Sequence, residues 1–427
     1  MARRTALRPE REDRIFYHSG NIYDMSGVKF LHQGVDTLKY LYKGKANLET
    51  YQMIKDLYDT THSAIFGFAD QMWMLGSGGA SGYRYRLQNN DLGVIVFYGA
   101  KHGKISEEDN LIKHNLKVEL SPHFLISRDA KQVDKFIDDL AGHFLTDMER
   151  PQLAVHLCID VKGWQIPEDF DHRLKTRARR LFDYKGVSDY EFDLSATSVT
   201  YGRQETITYG KAGSLQFTVY DKTKANQKQD KVEFWEKQWK TKTNDNFEPW
   251  YQKGDKVHRI EFRFHHTVVE QFSRTVSKWK DSEGNDCILG SEKIRSFQKL
   301  EEHLTGLWRY AAMGFRLQLT DEFVDPFWAL LLDDIEFLPA RPDLNYKREY
   351  KSPGTGSDRN VVMAMANKLS VLVRRGYKAK DIFKSLKKDD IWPDIRSYYF
   401  SRGFDQKAIY DHVKQAVDKR ILSGKAA

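Results

Sequence analysis

The fold is decided by a stretch in the first half of the chain, which reads QLAVHLCIDV at residues 152–161. Its aliphatic residues and its alternation of polar and apolar side chains are typical of a β-strand. In a strand, His156, Cys158 and Asp160 lie on one face, whereas Leu157 and Ile159 lie on the other. The stretch therefore predicts a strand that carries ionisable groups on one surface of a sheet.

Two later stretches repeat this division into an apolar and a polar face. They read LQFTVYDK at residues 215–222 and HRIEFRFH at residues 258–265. Their polar faces hold Gln216, Thr218, Tyr220 and Lys222 in the first stretch, and Arg259, Glu261, Arg263 and His265 in the second. Taken singly, each stretch fits an antiparallel sheet with one solvated face. If the polar faces meet, however, they gather carboxylates, cations and a tyrosine on one sheet surface.

The order of the periodic segments predicts an α+β protein, because strands dominate the first part of the chain and helices the last. Helical spacing is present over residues 48–75 and 129–146. We expect four regions: a basic flexible arm at 1–25, an α+β catalytic domain at 26–290, a helical extension at 291–350, and a linker with a basic helical module at 351–427.

Composition excludes several classes of protein. The 427 residues are 40% hydrophobic, which is enough for a substantial core. No apolar run approaches the roughly 18 residues of a membrane span, so we expect no membrane contact. The two cysteines, Cys158 and Cys287, have neither disulfide nor zinc spacing, which favours a cytoplasmic protein. The glycine-rich segment at residues 76–82 lacks the Lys-Ser/Thr ending of a phosphate-binding loop.

Positive charge is concentrated in the last fifth of the chain. Residues 341–427 carry 20 Lys and Arg against 10 Asp and Glu, in a chain of net charge +8, so the preceding residues are close to neutral. Aromatic residues alternate with these cations, as they do where bases stack and phosphates are held. We expect DNA contacts at Lys347, Arg348, Arg374 and Arg375. A lysine-rich soluble tail, with its aromatic residues in a core, is the alternative interpretation.

The polar faces suit metal-dependent chemistry on a phosphodiester. Asp160 and Glu261, with Asp221 as an optional third carboxylate, would suit Mg²⁺ or Mn²⁺, which prefer oxygen ligands. Lysine and arginine side chains beside them would suit the phosphate. A tyrosine on this surface could act as a nucleophile and form a covalent phosphoester.

Several of these segments resemble the replication initiation factor (Rep_trans) family, which comprises rolling-circle replication initiators of plasmids and phages and related relaxases of mobile elements. The resemblance lies in TYGKAGS at 208–214 followed by FTVYDKT at 217–223. Three further segments match in order: GVDTL at 34–38, LCID at 157–160 and RIEFR at 259–263. The similar region covers roughly residues 30–275.

The resemblance implies an antiparallel-sheet catalytic domain of the rolling-circle initiator type. Such a domain makes a metal-dependent nick at a replication or transfer origin, through a tyrosine that becomes linked to the 5′ phosphate. It implies metal ligands at Asp160 and Glu261, phosphate contacts at Lys222 and Arg259, and Tyr220 as nucleophile. Arg263 is a further expected DNA contact. Tyr209 and Tyr201 remain alternative nucleophiles, because they lie on the adjoining predicted strands.

The expected partner is origin DNA, single-stranded or in a hairpin at the nick site. A host helicase and a second copy of the chain are further candidate partners. Two alternatives stay open at this point. One is a metal-dependent endonuclease that uses water, and the other is a non-enzymatic DNA-binding protein of replication or copy control.

Overall fold

The two periodicities of the sequence produce one large antiparallel sheet and helices that pack on it. The structure, a computed structural model, describes residues 7–101, 105–178, 180–181, 206–228, 231–272, 277–280, 283–284, 286–289, 293–339, 358–400 and 403–422. The strands, in chain order, are β1 Glu10–Glu12, β2 Ile15–His18, β3 Asn21–Asp24, β4 Lys29–Ala46, β5 Ala64–Phe68, β6 Gln71–Ser77, β7 Tyr83–Asn89, β8 Val94–Ala100, β9 Lys113–Leu120, β10 Leu145–Thr146, β11 Gln152–Lys162, β12 Leu174–Lys175, β13 Arg180–Leu181, β14 Thr206–Tyr209, β15 Leu215–Asp221, β16 Val257–Phe264, β17 Ser277–Lys280, β18 Asp286–Leu289 and β19 Arg316–Leu317.

The helices occupy the loops and most of the C-terminal third. They are α1 Leu48–Thr61, α2 Pro122–Leu125, α3 Ala130–Phe144, α4 Phe170–Arg173, α5 Lys222–Lys228, α6 Val232–Trp239, α7 His266–Phe272, α8 Phe297–Glu301, α9 Leu304–Gly314, α10 Pro326–Asp333, α11 Asp358–Arg374, α12 Ala379–Leu386, α13 Trp392–Phe400 and α14 Gln406–Leu422. Helix α3 shows why one of them begins where it does. Asp129 and Gln132 form a reciprocal capping box at its first turn.

The central sheet has the strand order β13-β14-β15-β16-β11-β4-β9-β8-β7-β6-β5, and β10 pairs with β4 beside this row. Every strand pairing in it is antiparallel. The sheet and its helices confirm the predicted α+β class. The three polar–apolar strands of the sequence, β15, β16 and β11, lie side by side in this order.

Helices cover the apolar face of the sheet. On that face Phe262 contacts Trp308 of α9, with ring centroids 4.8 Å apart, and Phe217 contacts Trp328 of α10 at 5.6 Å. All four side chains are buried in one continuous core. The helices predicted over residues 291–350 are present as α8, α9 and α10 in the described part of that range, and they pack into the core of the sheet.

The start of the chain also differs from its prediction. Residues 10–24 form a three-stranded antiparallel sheet, β1-β2-β3. Arg8 pairs with Asp333 at 2.7 Å, Arg11 pairs with Asp334 at 2.7 Å, and the backbone of Leu7 donates to Glu322 at 2.9 Å. The flexible arm predicted over residues 1–25 is thus wrong from residue 7 onward, because arginines taken as free charges hold this segment on α10.

Helices α11 to α14 have a hydrophobic core of their own, which includes Leu369, Ile382 and Val413. Of the aromatic residues that alternate with cations in this region, Tyr399 is buried in that core, whereas Tyr377 is exposed. The interpretation of the aromatic residues as core is therefore correct for Tyr399. Within the part of the chain that the structure describes, no helix is long and apolar enough to cross a membrane.

Candidate catalytic site on the polar face of the sheet

The polar face of β15, β16, β11 and β4 is the candidate site, because the strand register aligns its ionisable residues. Asp160 on β11 lies opposite Arg259 on β16, and Tyr220 on β15 lies opposite the same arginine. Glu261 lies two residues after Arg259 on β16, opposite Cys158 of β11 on one side and Thr218 of β15 on the other. Paired residues in a sheet point to the same face. The structure therefore brings Asp160, Tyr220 and Glu261 to one surface.

A tight turn of the resembling segment sets the register of β15. Gly210 follows β14 with φ +92°, and a side chain there would meet the carbonyl oxygen of Leu215 at 2.3 Å. Only glycine is compatible with both this conformation and this close approach. The turn joins β14 and β15 as neighbouring strands and places Tyr220 opposite Thr206.

Asp160 and Arg259 form a fully buried ion pair, with no exposure of either side chain. Arg259 donates from Nε to Oδ1 at 2.6 Å and from Nη2 to Oδ2 at 2.7 Å, and Trp239 of α6 donates to the same Oδ2 at 2.8 Å. The guanidinium lies over the ring of Trp235 at 4.1 Å and also donates to Asp36. Burial opposes ionisation of Asp160, but Arg259, with smaller contributions from His32 and Lys222, lowers the pKa of this carboxyl overall. Each of these two groups is therefore already neutralised by the other.

This pairing changes the roles expected for two residues. Asp160 was predicted as a metal ligand and Arg259 as a phosphate contact. In the structure both oxygens of Asp160 accept hydrogen bonds from protein groups, and Arg259 lies beneath the surface. Their geometry is that of a structural pair that joins β11 to β16.

A second group of side chains has the composition of a metal site. Ligand atoms of Asp36, His156 and Glu261 all lie within 4.8 Å of one another, and these three residues are called the metal group below. Asp36 reaches this position because β4 bulges there: Thr37 pairs with His156 and Val35 with Leu157, so Asp36 has no partner on β11. A bulge of this kind redirects one side chain and is common beside active sites.

The protonation of this group also suits a cation. Burial lowers the pKa of His156, so its imidazole is neutral near pH 7, as a metal ligand must be. His156 Nδ1 lies 3.2 Å from Glu261 Oε1. Burial opposes ionisation of Glu261, but Arg263 and His156 lower its pKa well below the ordinary value. Two carboxylates and an imidazole fit Mn²⁺ well, whereas Mg²⁺ would use mainly the oxygens.

Glu261 has its own arginine partner. Arg263 donates from Nε to Oε1 at 2.8 Å and from Nη2 to Oε2 at 3.0 Å. The two side chains differ in exposure, since that of Glu261 is 1% exposed and that of Arg263 is 35% exposed. The predicted DNA contact Arg263 therefore lies at the surface of the site while it neutralises a buried carboxylate.

Tyr220 and Lys222 border the same group. Lys222 is the first residue of α5, and its Nζ lies 4.6 Å from the ring centre of Trp235 and 5.9 Å from that of Tyr220. Burial, followed by Arg259, lowers the pKa of Lys222 to about 8. Burial raises the pKa of Tyr220 well above its ordinary value; Arg259 opposes this effect, and Glu261 and Asp36 add to it.

Two predicted site residues lie on the wrong face. Asp221 pairs with His258 in the register, and its carboxylate accepts from the backbone N–H of Lys224 at 3.1 Å, so it caps α5 instead of joining the metal group. Tyr209 lies on the apolar face, where it stacks on Phe217 and donates its hydroxyl to Asp171. Asp221 as a metal ligand and Tyr209 as a nucleophile are therefore wrong, because residues of odd and even position in a strand point to opposite faces.

The remaining predicted residues lie elsewhere. Arg374 and Arg375 are exposed at the end of α11. Tyr201, Lys347 and Arg348 lie outside the residues that the structure describes.

Sequence reasoning missed the roles of His156 and Asp36. The period-two pattern places His156 on the polar face, but the sequence alone does not link it to Glu261. Asp36 had no such signal, since a bulge breaks the alternation on which strand assignment depends.

Comparison with known proteins reveals a relative that matches almost the whole chain. The chain is 34% identical to an uncharacterized protein, ORF430 of Pseudomonas phage Pf1, over 412 residues that make up 95% of this chain and 91% of the relative. No family model matches the chain. No solved structure is significantly similar to it.

Proposed function

This chain belongs to the same family as ORF430 of Pseudomonas phage Pf1, and we propose that it is a DNA-nicking and strand-transfer enzyme. In this proposal it acts at a replication or transfer origin through a covalent 5′-phosphotyrosine. The observation that carries the proposal is the close approach of three potential cation ligands, Asp36, His156 and Glu261, on the sheet face that also bears Tyr220.

The proposed reaction is a phosphoryl transfer to Tyr220. The phenol oxygen of Tyr220 forms a bond to phosphorus, the bond from phosphorus to the 3′ oxygen breaks, and the departing 3′ oxygen takes up a proton. The phenol proton passes to Lys222 in its amine form, which the pKa of about 8 makes accessible near neutral pH. Transfer to a new 3′ hydroxyl reverses these steps and rejoins the strand.

A divalent cation would polarise the scissile phosphate and stabilise the charge of the pentacovalent state. Asp36, His156 and Glu261 would hold it. Glu261 and Asp36 both raise the pKa of Tyr220, so a cation bound to them would lower it and favour the nucleophilic form. The donor set fits Mn²⁺ or Mg²⁺.

The resemblance to rolling-circle initiators supports the same activity. Its matched segments contribute Tyr220, Lys222 and Glu261 to the polar face, and the segment at residues 34–38 contributes Asp36. We also propose that the basic helices α11 to α14, with Arg374 and Arg375, bind the phosphates of duplex DNA next to the origin.

The test is formation of a covalent adduct. Labelled origin DNA from the element that encodes the chain is incubated with the protein and Mn²⁺ and then denatured. We expect an adduct with the wild type and with Tyr209→Phe, whose ring faces the opposite side of the sheet, but none with Tyr220→Phe. Phenylalanine keeps the packing of the ring, so its effect reports on one oxygen. An adduct that persists in Tyr220→Phe would refute the assignment of the nucleophile.

The raised pKa of Tyr220 favours one second candidate, a metal-dependent endonuclease in which water is the nucleophile. That enzyme would cut DNA without forming an adduct, and Tyr220→Phe would continue to cut. The same experiment therefore separates the two activities.

A further inference from the structure

The two arginines of the polar face are held very differently, and the difference concerns the metal group. Arg259 has no exposed surface, binds both oxygens of Asp160, contacts Asp36 and lies against Trp235. Arg263 is 35% exposed, and within the residues that the structure describes its hydrogen bonds go to Glu261 alone. Arg259 is therefore fixed, whereas Arg263 can leave its partner for solvent without breaking any other hydrogen bond.

A cation at the metal group would compete directly with Arg263. Oε1 of Glu261 accepts from Arg263 Nε and lies 3.2 Å from His156 Nδ1, while Oε2 accepts from Arg263 Nη2. A divalent ion binds carboxylate oxygen at about 2.0–2.2 Å, closer than either of these donors. Its double charge would also repel a guanidinium that remained on the same carboxylate.

Asp36 does not require an equivalent displacement. Arg259 donates to its Oδ1, while its Oδ2 accepts, among the residues that the structure describes, only from the hydroxyl of Thr37 at 3.2 Å. Asp36 can therefore offer Oδ2 to a cation and keep its arginine. Of the two arginines that bind carboxylates of the site, Arg263 is therefore the one whose positive charge a cation would displace.

We propose that Arg263 is a counter-ion of Glu261 that the metal displaces, and that the released guanidinium then binds a phosphate of the DNA. This inference rests on the proposed function, since it assigns a regulatory step to the same metal group. Asp36, Asp160 and Glu261 are balanced in the metal-free protein by Lys222, Arg259 and Arg263, so a divalent ion adds charge that an incoming phosphate neutralises. Metal and DNA therefore bind cooperatively, and each raises the affinity of the other by the same factor.

Metal affinity provides the first test. Mn²⁺ alone is titrated into the full-length protein, and bound and free ion are distinguished by electron paramagnetic resonance. Arg263→Gln removes the competing cation, so we expect it to bind Mn²⁺ about 5- to 150-fold more tightly than the wild type. Arg86→Gln is the matched control, because it removes the same charge from an exposed site on the distant strand β7 and should leave Mn²⁺ affinity unchanged.

DNA affinity provides the second test, with a dT20 oligonucleotide as probe and a Tyr220→Phe background that prevents covalent capture. Mn²⁺ should raise dT20 affinity about 5-fold or more with Arg263 present. Its effect should be smaller in Arg263→Gln, where the ion still attracts the phosphate but releases no guanidinium, and an equal effect would overturn the release of Arg263. Arg263→Lys keeps the charge without the bidentate contact, so we expect it to recover part of the increase in dT20 affinity that Mn²⁺ causes.

Arg263→Gln leaves Glu261 buried without its main counter-ion, so a loss of stability has to be separated from the proposed effect. We expect this variant to melt at a lower temperature in EDTA than the wild type, and Mn²⁺ to raise its melting temperature by more, because the ion replaces the missing charge. An equal or smaller rise than in the wild type would overturn the proposal.

The other outcomes separate this inference from the proposed function. Failure of the wild type to bind Mn²⁺ or Mg²⁺ at millimolar concentration would overturn both. Binding by the wild type with equal or weaker binding by Arg263→Gln would overturn only the displacement of Arg263. If Arg263→Gln binds Mn²⁺ more tightly but Mn²⁺ does not change the dT20 affinity of the protein with Arg263 present, the coupling to DNA would be overturned.

Discussion

Replacing Asp160 by asparagine tests whether the ion pair with Arg259 is structural. The change keeps the shape of the side chain but removes its charge, so Arg259 remains fully buried with only Asp36 as a carboxylate partner. Breaking one side of a buried ion pair costs about 3–5 kcal/mol. Because Asp36 still contacts the guanidinium, we expect a loss near the lower end, about 3 kcal/mol, which corresponds to roughly a hundredfold decrease in the folding equilibrium constant.

The loss is measured by urea unfolding, followed through tryptophan fluorescence. Trp235 and Trp239 lie against this pair, so their signal reports on the part of the sheet that contains it. Asp255→Asn is the control. It removes the charge that pairs with Lys162 at 2.5 Å, where both side chains are about a quarter exposed, and should cost at most about 1 kcal/mol.

The pH dependence of the loss has a definite sign. The folded-state pKa of Asp160 is lowered, so its contribution to stability is present above the ordinary carboxyl pKa and disappears as the pH falls through the lower, folded value. The stability difference between wild type and Asp160→Asn should therefore shrink in acid. A variant that loses less than about 1 kcal/mol at pH 7 yet no longer binds Mn²⁺ would refute this reasoning and restore Asp160 as a metal ligand.

Three further predictions concern the metal group, the proton acceptor and the basic helices. Asp36→Asn and Glu261→Gln should each weaken Mn²⁺ binding about tenfold or more in the resonance titration, since even outer-shell partners of a metal contribute that much; unchanged binding would exclude that residue as a ligand. The rate of adduct formation should rise about tenfold between pH 7 and 9 and then level off, because the pKa of Lys222 is about 8 and its amine form accepts the proton. Lys222→Arg should abolish this rise and most of the rate. If the variant keeps the same pH profile, another group accepts the proton. The double variant Arg374→Gln, Arg375→Gln should reduce the slope of log K against log salt for duplex DNA by about 1 to 2, and an identical slope would reassign α11 to another role.

The sequence could predict the faces of the strands but not the partners within a face. Period-two alternation correctly grouped the polar residues within each of β11, β15 and β16, since that property depends only on odd and even position in a strand. The meeting of the three polar faces stayed conditional in the sequence, and the register of the folded sheet brings it about. Which carboxylate receives which arginine depends on register, and register is a long-range property of the folded sheet. Asp221 is a different case, because its position between Tyr220 and Lys222 already places it on the opposite face of β15.

Local pattern also failed where tertiary structure overrides it. The helical spacing over residues 48–75 predicts one helix, but α1 ends at Thr61 and the remainder forms the hairpin β5–β6. His62 ends the helix in the left-handed conformation, with φ 57°. Glycine or asparagine is the usual signal for such an end, so a histidine here does not predict it. Similarly, Arg8 and Arg11 read as free charges in the sequence, because their partners on α10 are more than 300 residues away.

Asp36 belongs both to the buried ion pair of Asp160 and Arg259 and to the metal group. Its Oδ1 accepts from Arg259 and so belongs to the buried pair that joins β11 and β16, while the bulge in β4 brings the same carboxylate to His156 and Glu261. In the proposed site, a cation held by Asp36 would be positioned relative to strands that the buried ion pair joins. Burying Asp160 and Arg259 contributes little net stability compared with apolar residues of equal volume. Its value would lie in permitting one alignment of β4, β11 and β16, and only that alignment gathers the metal group beside Tyr220.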